Sequence, residues 1–409
     1  MSEGALAGVR VVSFGAFVAG NTAAKLMAEM GADVVKIEPR SRPEVLRTAA
    51  YAIGPVPIEP SGVSNTVMYA TLSRGVRHVA LDLNIHEARP AFHQLVAHAD
   101  IVIENFAGQT LTRWGCAYED LIEDNPRLVM LSLSGYGRTG PRAGYLGYAS
   151  TLASYLGLSS AWEYTHGTLT DYITATTGAV AALSALDQAR TTGESVYVDV
   201  AQIDAMAPIL AGLYTGPLNT GQEEQTQPNR VPGSFLSGVC PCQGYDAWLA
   251  YEIEDSADWN ALCALLGRDD LQIHASGEAI ALRSDLTSAL DQWASGLSAH
   301  TAMNQMQKAG LAAGVVQSTE DIWRDPQLHV RQFGEVVDQA DLGPVTYPRS
   351  SQRWTKTPGA LHVAPARLGE HTREVLRQWL GLTDSELINL TDAGALFDAG
   401  ALFDAGGPR

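Results

Sequence analysis

Short β-branched apolar runs alternate with amphipathic segments from residue 9 to residue 133 of the chain. Between the first two runs, apolar residues recur at helical spacing and Gly31 ends the segment, which predicts a strand–helix–strand unit. Such a unit implies parallel strands joined by a right-handed crossover. The predicted strands are Val9–Phe14, Asp33–Glu38, His78–Leu83, Asp100–Glu104 and Leu128–Leu133, and the predicted helices are Asn21–Met30, Glu87–Ala97 and Tyr118–Asp124.

The alternation continues with a long Ala-rich helix at Thr170–Thr192 and a strand at Ser195–Val200. Residues 219–233 are polar and broken by Pro and Gly, which is typical of a linker. Strand Trp248–Ile253 and several helices then predict a smaller domain. We therefore expect an α/β fold with a doubly wound, Rossmann-like large domain over 1–218, a smaller α/β domain over 219–325, and a return segment with a C-terminal tail over 326–409. The later predicted helices are Trp259–Leu266, Arg283–Ser295, Thr301–Lys308 and Glu370–Leu380.

Two further segments lack a clear period. Gly314-Val315-Val316 is predicted to be a turn. The segment GALFDA occurs twice, at Gly394–Ala399 and Gly400–Ala405, and two copies are too few for a solenoid. We interpret this duplication as a tail extension with little functional content.

Charge excludes some partners. The 409 residues carry a formal net charge of −18 and no basic stripe, which argues against nucleic acid and anionic membrane surfaces. The charge is uneven, because residues 1–115 hold ten Lys/Arg and ten Asp/Glu, so the whole acidic excess lies downstream. An anionic ligand would therefore fit the N-terminal part best.

Cysteine and histidine usage gives no sign of a disulfide framework or a metal site. The four cysteines are too few for a disulfide scaffold, and His86, His93 and His98 are not spaced to present a metal triad on one helix face. The N-terminus lacks the basic and apolar regions of a signal peptide, and no apolar run reaches the ~18 residues of a membrane helix. We expect a cytoplasmic protein with no metal.

Two features of the sequence are candidates for ligand binding or catalysis. Gly135-Tyr136-Gly137-Arg138-Thr139-Gly140 matches G-x-G-x-x-G, but it does not lie in the first strand–helix turn and no clean helix follows, so nicotinamide or flavin binding is a weak alternative. Asp171 stands at the start of the 170–192 helix. It is either a helix-capping acid or a carboxylate nucleophile that the helix end keeps ionised, and the residues alone do not choose.

Taken together, these segments resemble the class III coenzyme A transferases, the family that includes CaiB/BaiF-type enzymes and formyl-CoA transferase. The similarity runs from about Leu6 to Asp392, in segments that keep their order. They are LAGVRVVSFGAFVAGNTAAKLMAEMGADVVKIEP, LSRGVRHVALDL, IVIENFAGQTLTRWG, LSGYGRTGP, DYITATTGAVAALSALDQARTTG, GPVTYP and LGEHTREVL.

The resemblance implies a transfer of CoA from an acyl-CoA to a free carboxylic acid. The position that matches the family's nucleophile is Asp171, which would form a mixed aspartyl–acyl anhydride and then an aspartyl–CoA thioester. No tightly bound cofactor is implied, since CoA is part of the substrate. The implied CoA contacts are Val18, Ala19, Leu72, Arg74, Asn105, Phe106, Ala107, Arg113, Ser134, Gly135, Tyr136 and Gly137. Family members also form interlocked homodimers, which we expect here.

Two of the chain's departures from the family pattern bear on its function. Many relatives have an Arg where this chain has Pro39, so the Arg that anchors a phosphate in those relatives has no match at this position, and Arg40 follows one residue later. α-Methylacyl-CoA racemases of the family have a G-H-D segment where this chain has Gly147-Tyr148-Ala149, which argues against racemisation. A racemase, and a CoA-binding protein without transferase activity, stay as alternatives.

Overall fold

The computed structural model describes residues 4–47, 66–159, 167–221, 229–231, 233–275, 277–339, 342–357 and 363–397. The chain divides into two compact units. The large unit comprises Met1–Thr215 and Val330–Arg409, and the small unit comprises Gly216–His329.

A seven-stranded sheet with the order β12-β3-β2-β1-β4-β5-β6 forms the centre of the large unit. Strands β1 to β6 pair in parallel, and β12 is an antiparallel edge strand beside β3. The predicted α/β class with a large parallel sheet is confirmed. The strands are β1 (Arg10–Ser13), β2 (Asp33–Ile37), β3 (Val76–Leu81), β4 (Ile101–Glu104), β5 (Val129–Ser134), β6 (Val196–Ala201) and β12 (Leu396–Phe397).

Helices cover both faces of this sheet, which is why the central strands are nearly continuous apolar runs. On one face, alanines of α1 and α7 pack on β1, β4 and β5, and on the other face α3, α5 and α15 pack on Val12, Val102 and Met130. The helices of the large unit are α1 (Phe17–Glu29), α2 (Val67–Leu72), α3 (Arg89–Ala97), α4 (Thr110–Trp114), α5 (Tyr118–Asp124), α6 (Ala149–Tyr155), α7 (Leu169–Thr192), α8 (Gln202–Met206), α15 (Thr372–Leu380) and α16 (Asp384–Asp392), and α9 (Ala211–Thr220) begins in this unit.

Strands β1 and β4 are adjacent at the centre of the sheet. From β1 the chain adds strands toward one side of the sheet, and from β4 it adds them toward the other side. In open parallel sheets, the loops that leave the carboxyl ends of the two strands at such a point diverge and leave a crevice for a ligand. The loops after β1, β4 and β5 therefore lie at the same end of the sheet, around this crevice. The first of these loops leads into α1, which begins with Phe17 in a left-handed backbone conformation with φ of 53°.

The small unit has an antiparallel sheet of its own, with the order β7-β8-β9. Its core contains Trp259 and Leu286 from two helices and Leu249 from the central strand, all of them fully buried. The elements are β7 (Leu236–Pro241), β8 (Trp248–Ile253), β9 (Ala312–Val315), α10 (Ser256–Leu266), α11 (Glu278–Ser295), α12 (Ala299–Lys308) and α13 (Thr319–Arg324), and α14 (Pro326–Val330) follows.

Two sequence predictions are wrong. Gly314 and Val315 belong to strand β9 rather than to a turn. The first GALFDA copy is not a tail extension, because Leu396 and Phe397 form β12 and pair with Leu81 and Ala80 of β3. The second copy lies outside the described residues. Earlier in the return segment, β10 (Gly334–Gln339) and β11 (Gly343–Pro348) form an antiparallel hairpin.

Candidate active site

Asp171 lies in the first turn of α7, with Thr168 as the N-cap residue. It is 9% exposed. Within the described part of the chain, the hydrogen bond that its carboxylate accepts comes from the side chain of Gln202, not from a helix N–H group, and Gln202 Nε2 stands 2.9 Å from Asp171 Oδ1. The helix-cap interpretation of Asp171 is therefore wrong for this structure.

The surroundings of Asp171 disfavour its charge. Burial raises the pKa of this carboxyl to about 6, and the hydrogen bond from Gln202 opposes that rise. Among the described residues, no Lys, Arg or His makes an ion pair with Asp171. The carboxylate is mostly ionised at pH 7 but poorly solvated, which makes Asp171 a candidate for a reactive acid.

The position of Gln202 is fixed by strand β6 and by the loop after β5. It is the first residue of α8, directly after Ala201, which is paired with Ser134 of β5. The N–H of the next residue, Ile203, donates to the carbonyl of Gly135 at 3.2 Å. The glycine segment and the amide that contacts Asp171 are thus parts of one hydrogen-bonded arrangement. No sequence motif marks Gln202, because its contact with Asp171 depends on strand order.

The segment Ser134–Gly137 leaves β5 as a tight loop. Gly137 has φ of 83°, in the left-handed region that favours glycine. A Cβ on Gly135 would stand 3.1 Å from Gly147 Cα, so the loop packs closely on the segment before α6. The Ser134 hydroxyl oxygen is buried and has no hydrogen-bond partner among the described residues. Such an atom is available to a ligand's polar group.

The turn after β1 is joined to the loop after β4 by one side chain. Asn105 Nδ2 donates to the Ala16 carbonyl and Asn105 Oδ1 accepts from the Ala16 N–H, each at 2.8 Å. Gly20 makes this approach possible, because a Cβ there would stand 2.4 Å from Gly15 Cα and 2.9 Å from Asn105 Oδ1. Val18 and Ala19 have buried side chains in the first turn of α1, so only their backbone can face a ligand.

Arg138, for which the sequence indicates no role, joins the loop after β5 to the loop after β4. Its guanidinium pairs with Glu104, which is 1% exposed, and donates to Ser132 Oγ at 2.7 Å and to the Gly108 carbonyl at 3.4 Å. Phe106 packs on Trp114 with ring centroids 5.5 Å apart.

The predicted contacts beyond these loops differ in exposure. Arg113 is exposed at the end of α4, and Ala107 is half-buried. Leu72 and Arg74 are 3% and 2% exposed, and the Arg74 guanidinium pairs with Glu335 and lies 4.8 Å from the Tyr347 ring. The structure therefore does not expose the side chains of Leu72 and Arg74 at the carboxyl ends of the central strands. Arg40 is exposed and stacks on the Phe397 ring at 4.3 Å.

A cavity of about 260 Å³ lies beside the Glu104–Arg138 pair. Met130 and Tyr197 line it, and their side chains point to the face of the sheet opposite α7, so the cavity is separate from Asp171. In the described ranges, no cluster of His, Cys, Asp and Glu could hold a metal, and no helix is long and apolar enough to span a bilayer.

Comparison with known proteins shows the family. A model of CoA-transferase family III matches residues 6–372. The chain is 31% identical over 393 residues to the succinyl-CoA:mesaconate CoA-transferase of Haloarcula marismortui, covering 91% of this chain and 96% of the relative. It is 28% identical over 402 residues to the succinyl-CoA–L-malate CoA-transferase beta subunit of Chloroflexus aurantiacus, covering 94% and 96%.

The fold agrees with this family. A crystal structure of a CaiB/BaiF family protein from Brucella suis superposes with a TM-score of 0.81 at 24% identity, and the match covers 93% of this chain and 100% of that one. The sequence resemblance is thereby confirmed. On the family match, which spans most of the chain, this protein belongs to CoA-transferase family III.

Proposed function

We propose that this family III enzyme transfers CoA from an acyl-CoA to a free carboxylic acid through covalent intermediates on Asp171. The observation that carries the proposal is the environment of Asp171, a buried carboxylate with a raised pKa and an amide, not a cation, as its partner. A carboxylate that is ionised yet weakly stabilised is a competent nucleophile without a separate base.

The covalent steps of this transfer need no proton donor, because every leaving group departs as an anion. An oxygen of Asp171 attacks the thioester carbonyl carbon of the acyl-CoA, the C–S bond breaks, and CoA leaves as a thiolate. The thiolate then attacks the Asp171 carbonyl carbon of the mixed anhydride and releases the donor acid as a carboxylate. The acceptor carboxylate attacks the resulting aspartyl–CoA thioester, and the returning thiolate takes the acceptor acyl group, which restores Asp171.

CoA would lie in the crevice at the carboxyl ends of β1, β4 and β5. The N-terminus of α1 presents backbone N–H groups of Val18 and Ala19 to a phosphate, and exposed Arg113 adds a positive charge nearby. Within these loops, Asn105–Ala107 and Ser134–Gly137 complete the proposed set. Leu72 and Arg74 stay predictions from the resemblance, and both side chains are buried against protein in this structure.

Short dicarboxylic acids are the proposed acyl groups. The relatives include transferases named for succinyl-CoA with mesaconate or L-malate, and one named succinate–glutarate CoA-transferase from Agrobacterium fabrum. All of these names pair two dicarboxylic acids. Assays should therefore begin with succinyl-CoA as the donor and four- and five-carbon diacids as acceptors.

A homodimer is also proposed, on the resemblance and on an exposed aromatic patch. Phe17 and Tyr148, 41% and 54% exposed, contact each other edge to face at 5.5 Å, and Tyr145 and Leu146 beside them are 59% and 71% exposed. A patch of this kind next to a site is typical of an interface. Light scattering would test it, and a monomer that is fully active would contradict it.

The test of the function is Asp171→Ala in a CoA-exchange assay, with Asp187→Asn on the exposed face of α7 as the matched control. We expect the control to turn over normally and Asp171→Ala to lose exchange. We also expect wild-type protein, quenched during turnover, to carry CoA on Asp171 by mass spectrometry. Retained exchange in Asp171→Ala would overturn the mechanism, and α-proton exchange in deuterated water without CoA transfer would favour a racemase.

A further inference from the structure

We propose that Gln202 is a catalytic residue, whose side-chain amide stabilises the oxyanion that forms on Asp171 Oδ1 when a nucleophile attacks the aspartyl carbonyl carbon. This inference rests on the proposed function, because it concerns the second half of the same covalent cycle. It assigns to this chain a donor that no motif predicts.

The donor is already at the reacting atom. Gln202 Nε2 stands 2.9 Å from Asp171 Oδ1, a good hydrogen-bond distance, and the two side chains are 5% and 9% exposed. Water therefore competes weakly for either group. A preorganised donor in such a site strengthens as charge develops on the acceptor.

Chemistry fixes which end of the amide faces Asp171. An ionised carboxylate only accepts hydrogen bonds, so the NH₂ group must point to it and the Oε1 atom away from it. That Oε1 atom is buried and has no hydrogen-bond partner among the described residues. Leaving an acceptor unpaired is costly. The local fold accepts this cost while holding the NH₂ group on Asp171, which points to a role for the donor beyond stability.

The step that Gln202 serves can be written in full. In the mixed anhydride, Asp171 Oδ1 is a carbonyl oxygen and Oδ2 carries the acyl group. The CoA thiolate adds to the Asp171 carbonyl carbon, and the π electron pair moves onto Oδ1, which becomes the oxyanion. When the pair returns, the bond from that carbon to Oδ2 breaks, and the donor acid leaves as a carboxylate with Oδ2. The amide of Gln202 can follow Oδ1 through every state, since Oδ1 stays an acceptor.

The same donor serves the acceptor half of the cycle. There the acceptor carboxylate adds to the aspartyl–CoA thioester at the same carbon, and the negative charge again forms on Oδ1. The two additions at the substrate's own acyl carbon place their oxyanion on a substrate oxygen instead. Gln202 should therefore affect the steps that make and consume the CoA adduct, and should leave the first acylation almost unchanged.

The variants are Gln202→Met, which keeps the length of the side chain without its donor, and Gln202→Leu. Gln188→Leu, an exposed position on α7, is the matched control for the same kind of substitution. Loss of one oxyanion donor typically lowers kcat by about 10²–10³-fold. We expect that loss for both Gln202 variants, with the KM for acyl-CoA changed less than about threefold, since Gln202 contacts Asp171 rather than CoA in this proposal.

Two further measurements separate catalysis from folding. In rapid-quench mass spectrometry, the protein should gain the mass of CoA about 10²-fold more slowly in Gln202→Met, while the acyl adduct still forms. The acid limb of kcat/KM should also move to higher pH, because the hydrogen bond that lowers the Asp171 pKa is gone. Thermal melting identifies any variant that has not folded, and the length-matched Gln202→Met variant then decides.

The inference fails if folded Gln202→Met keeps kcat within about threefold of wild type, or forms the CoA adduct at the wild-type rate. Loss of both the acyl and the CoA adducts would also overturn it, because the donor would then act on the first step. None of these outcomes resembles a failure of the proposed function, in which Asp171→Ala retains exchange and wild-type protein carries no adduct.

Discussion

Two buried acids of the large unit, Asp171 and Glu38, have opposite surroundings. Asp171 accepts a hydrogen bond from an amide, and burial raises its pKa to about 6. Glu38 follows β2, is 3% exposed, and pairs with the Arg47 guanidinium at 2.7 Å. Burial acts to raise the pKa of Glu38, but the positive charges of Arg47 and Lys36 hold it well below its usual range. Burial is common to both sites, so the partner decides the state of the acid.

The groups around Glu38 form a neutralised network. Tyr69 donates its hydroxyl proton to the Ala366 carbonyl at 2.7 Å, so its oxygen accepts from His78 Nε2, and His78 Nδ1 is then free to accept from Arg47. Burial lowers the pKa of His78 to about 3, in agreement with a neutral ring.

A second buried pair extends the network toward the first turn of α1. Lys36 pairs with Glu44 at 2.7 Å, and Glu44 accepts the N–H of Phe17, the residue with the left-handed backbone. Cations therefore surround the acids that hold the crevice in shape, while the acid proposed to react has an amide. The same residue class stabilises the fold in one place and is proposed to react in the other.

The largest expected effect separates the two acids by activity. Asp171→Asn should lower CoA exchange by at least about 10⁴-fold, because the proposed nucleophile is lost. Glu38→Gln, assayed well below its melting temperature, should keep exchange within about tenfold. The comparison breaks if Glu38→Gln loses as much activity as Asp171→Asn while it is still folded by circular dichroism.

Stability should show the reverse order. Glu38→Gln leaves Arg47 charged and 3% exposed without its carboxylate, and breaking a buried pair in this way costs about 3–5 kcal/mol. Glu374→Gln is the control, since Glu374 is 62% exposed in its pair with Arg77 and should change stability by less than about 1 kcal/mol. Urea unfolding measures both, and equal effects would contradict the contrast.

A cation placed beside Asp171 should make it resemble Glu38. Gln202→Lys puts an ammonium at the position of the amide, and an opposite charge at that distance lowers a carboxyl pKa by about 1–3 units. The acid limb of kcat/KM should then move below pH 6 by that amount. Gln188→Lys on the exposed part of α7 should leave the limb in place, and an unmoved limb in Gln202→Lys would show that the partner does not set the pKa.

The smallest expected effect is the pH dependence of stability. Because the folded-state pKa of Asp171 is about 6, above its unfolded value, the ionised carboxyl destabilises the fold above pH 6, and this cost vanishes as pH falls toward 4. Asp171→Asn should be more stable than wild type by about 3 kcal/mol at pH 7.5 and equal to it near pH 4. Unfolding at several pH values checks this, and a constant difference would contradict it.

The sequence predicts the sheet better than the segments around it. Strand Trp248–Ile253 and helix Tyr118–Asp124 are observed with the predicted bounds, because apolar periodicity is strong where one face or both are buried. Helix α9 is not predicted, since Gly212, Gly216 and Pro217 interrupt its pattern. Such residues mark breaks on average, and local context overrides them here.

For the site, the sequence and its resemblance point to Asp171 and the crevice loops but not to their supports. Gln202 lies 31 residues from Asp171 and meets it only because β6 is placed beside β5. Arg138 appears in sequence as a variable position of a glycine motif, and its pairing with Glu104 follows from the neighbouring β4. Contacts between separate strands carry no local sequence period, so patterning cannot show them.

Strand β12 lies in a duplicated segment, which determines what sequence a deletion of one copy would leave. Its residues lie in the first of two identical six-residue units, and removal of either unit leaves the same protein sequence, TDAGALFDAGGPR, after Leu390. Loss of either unit therefore preserves Leu396 and Phe397, the two residues that pair with Leu81 and Ala80 of β3, in their order after Leu390.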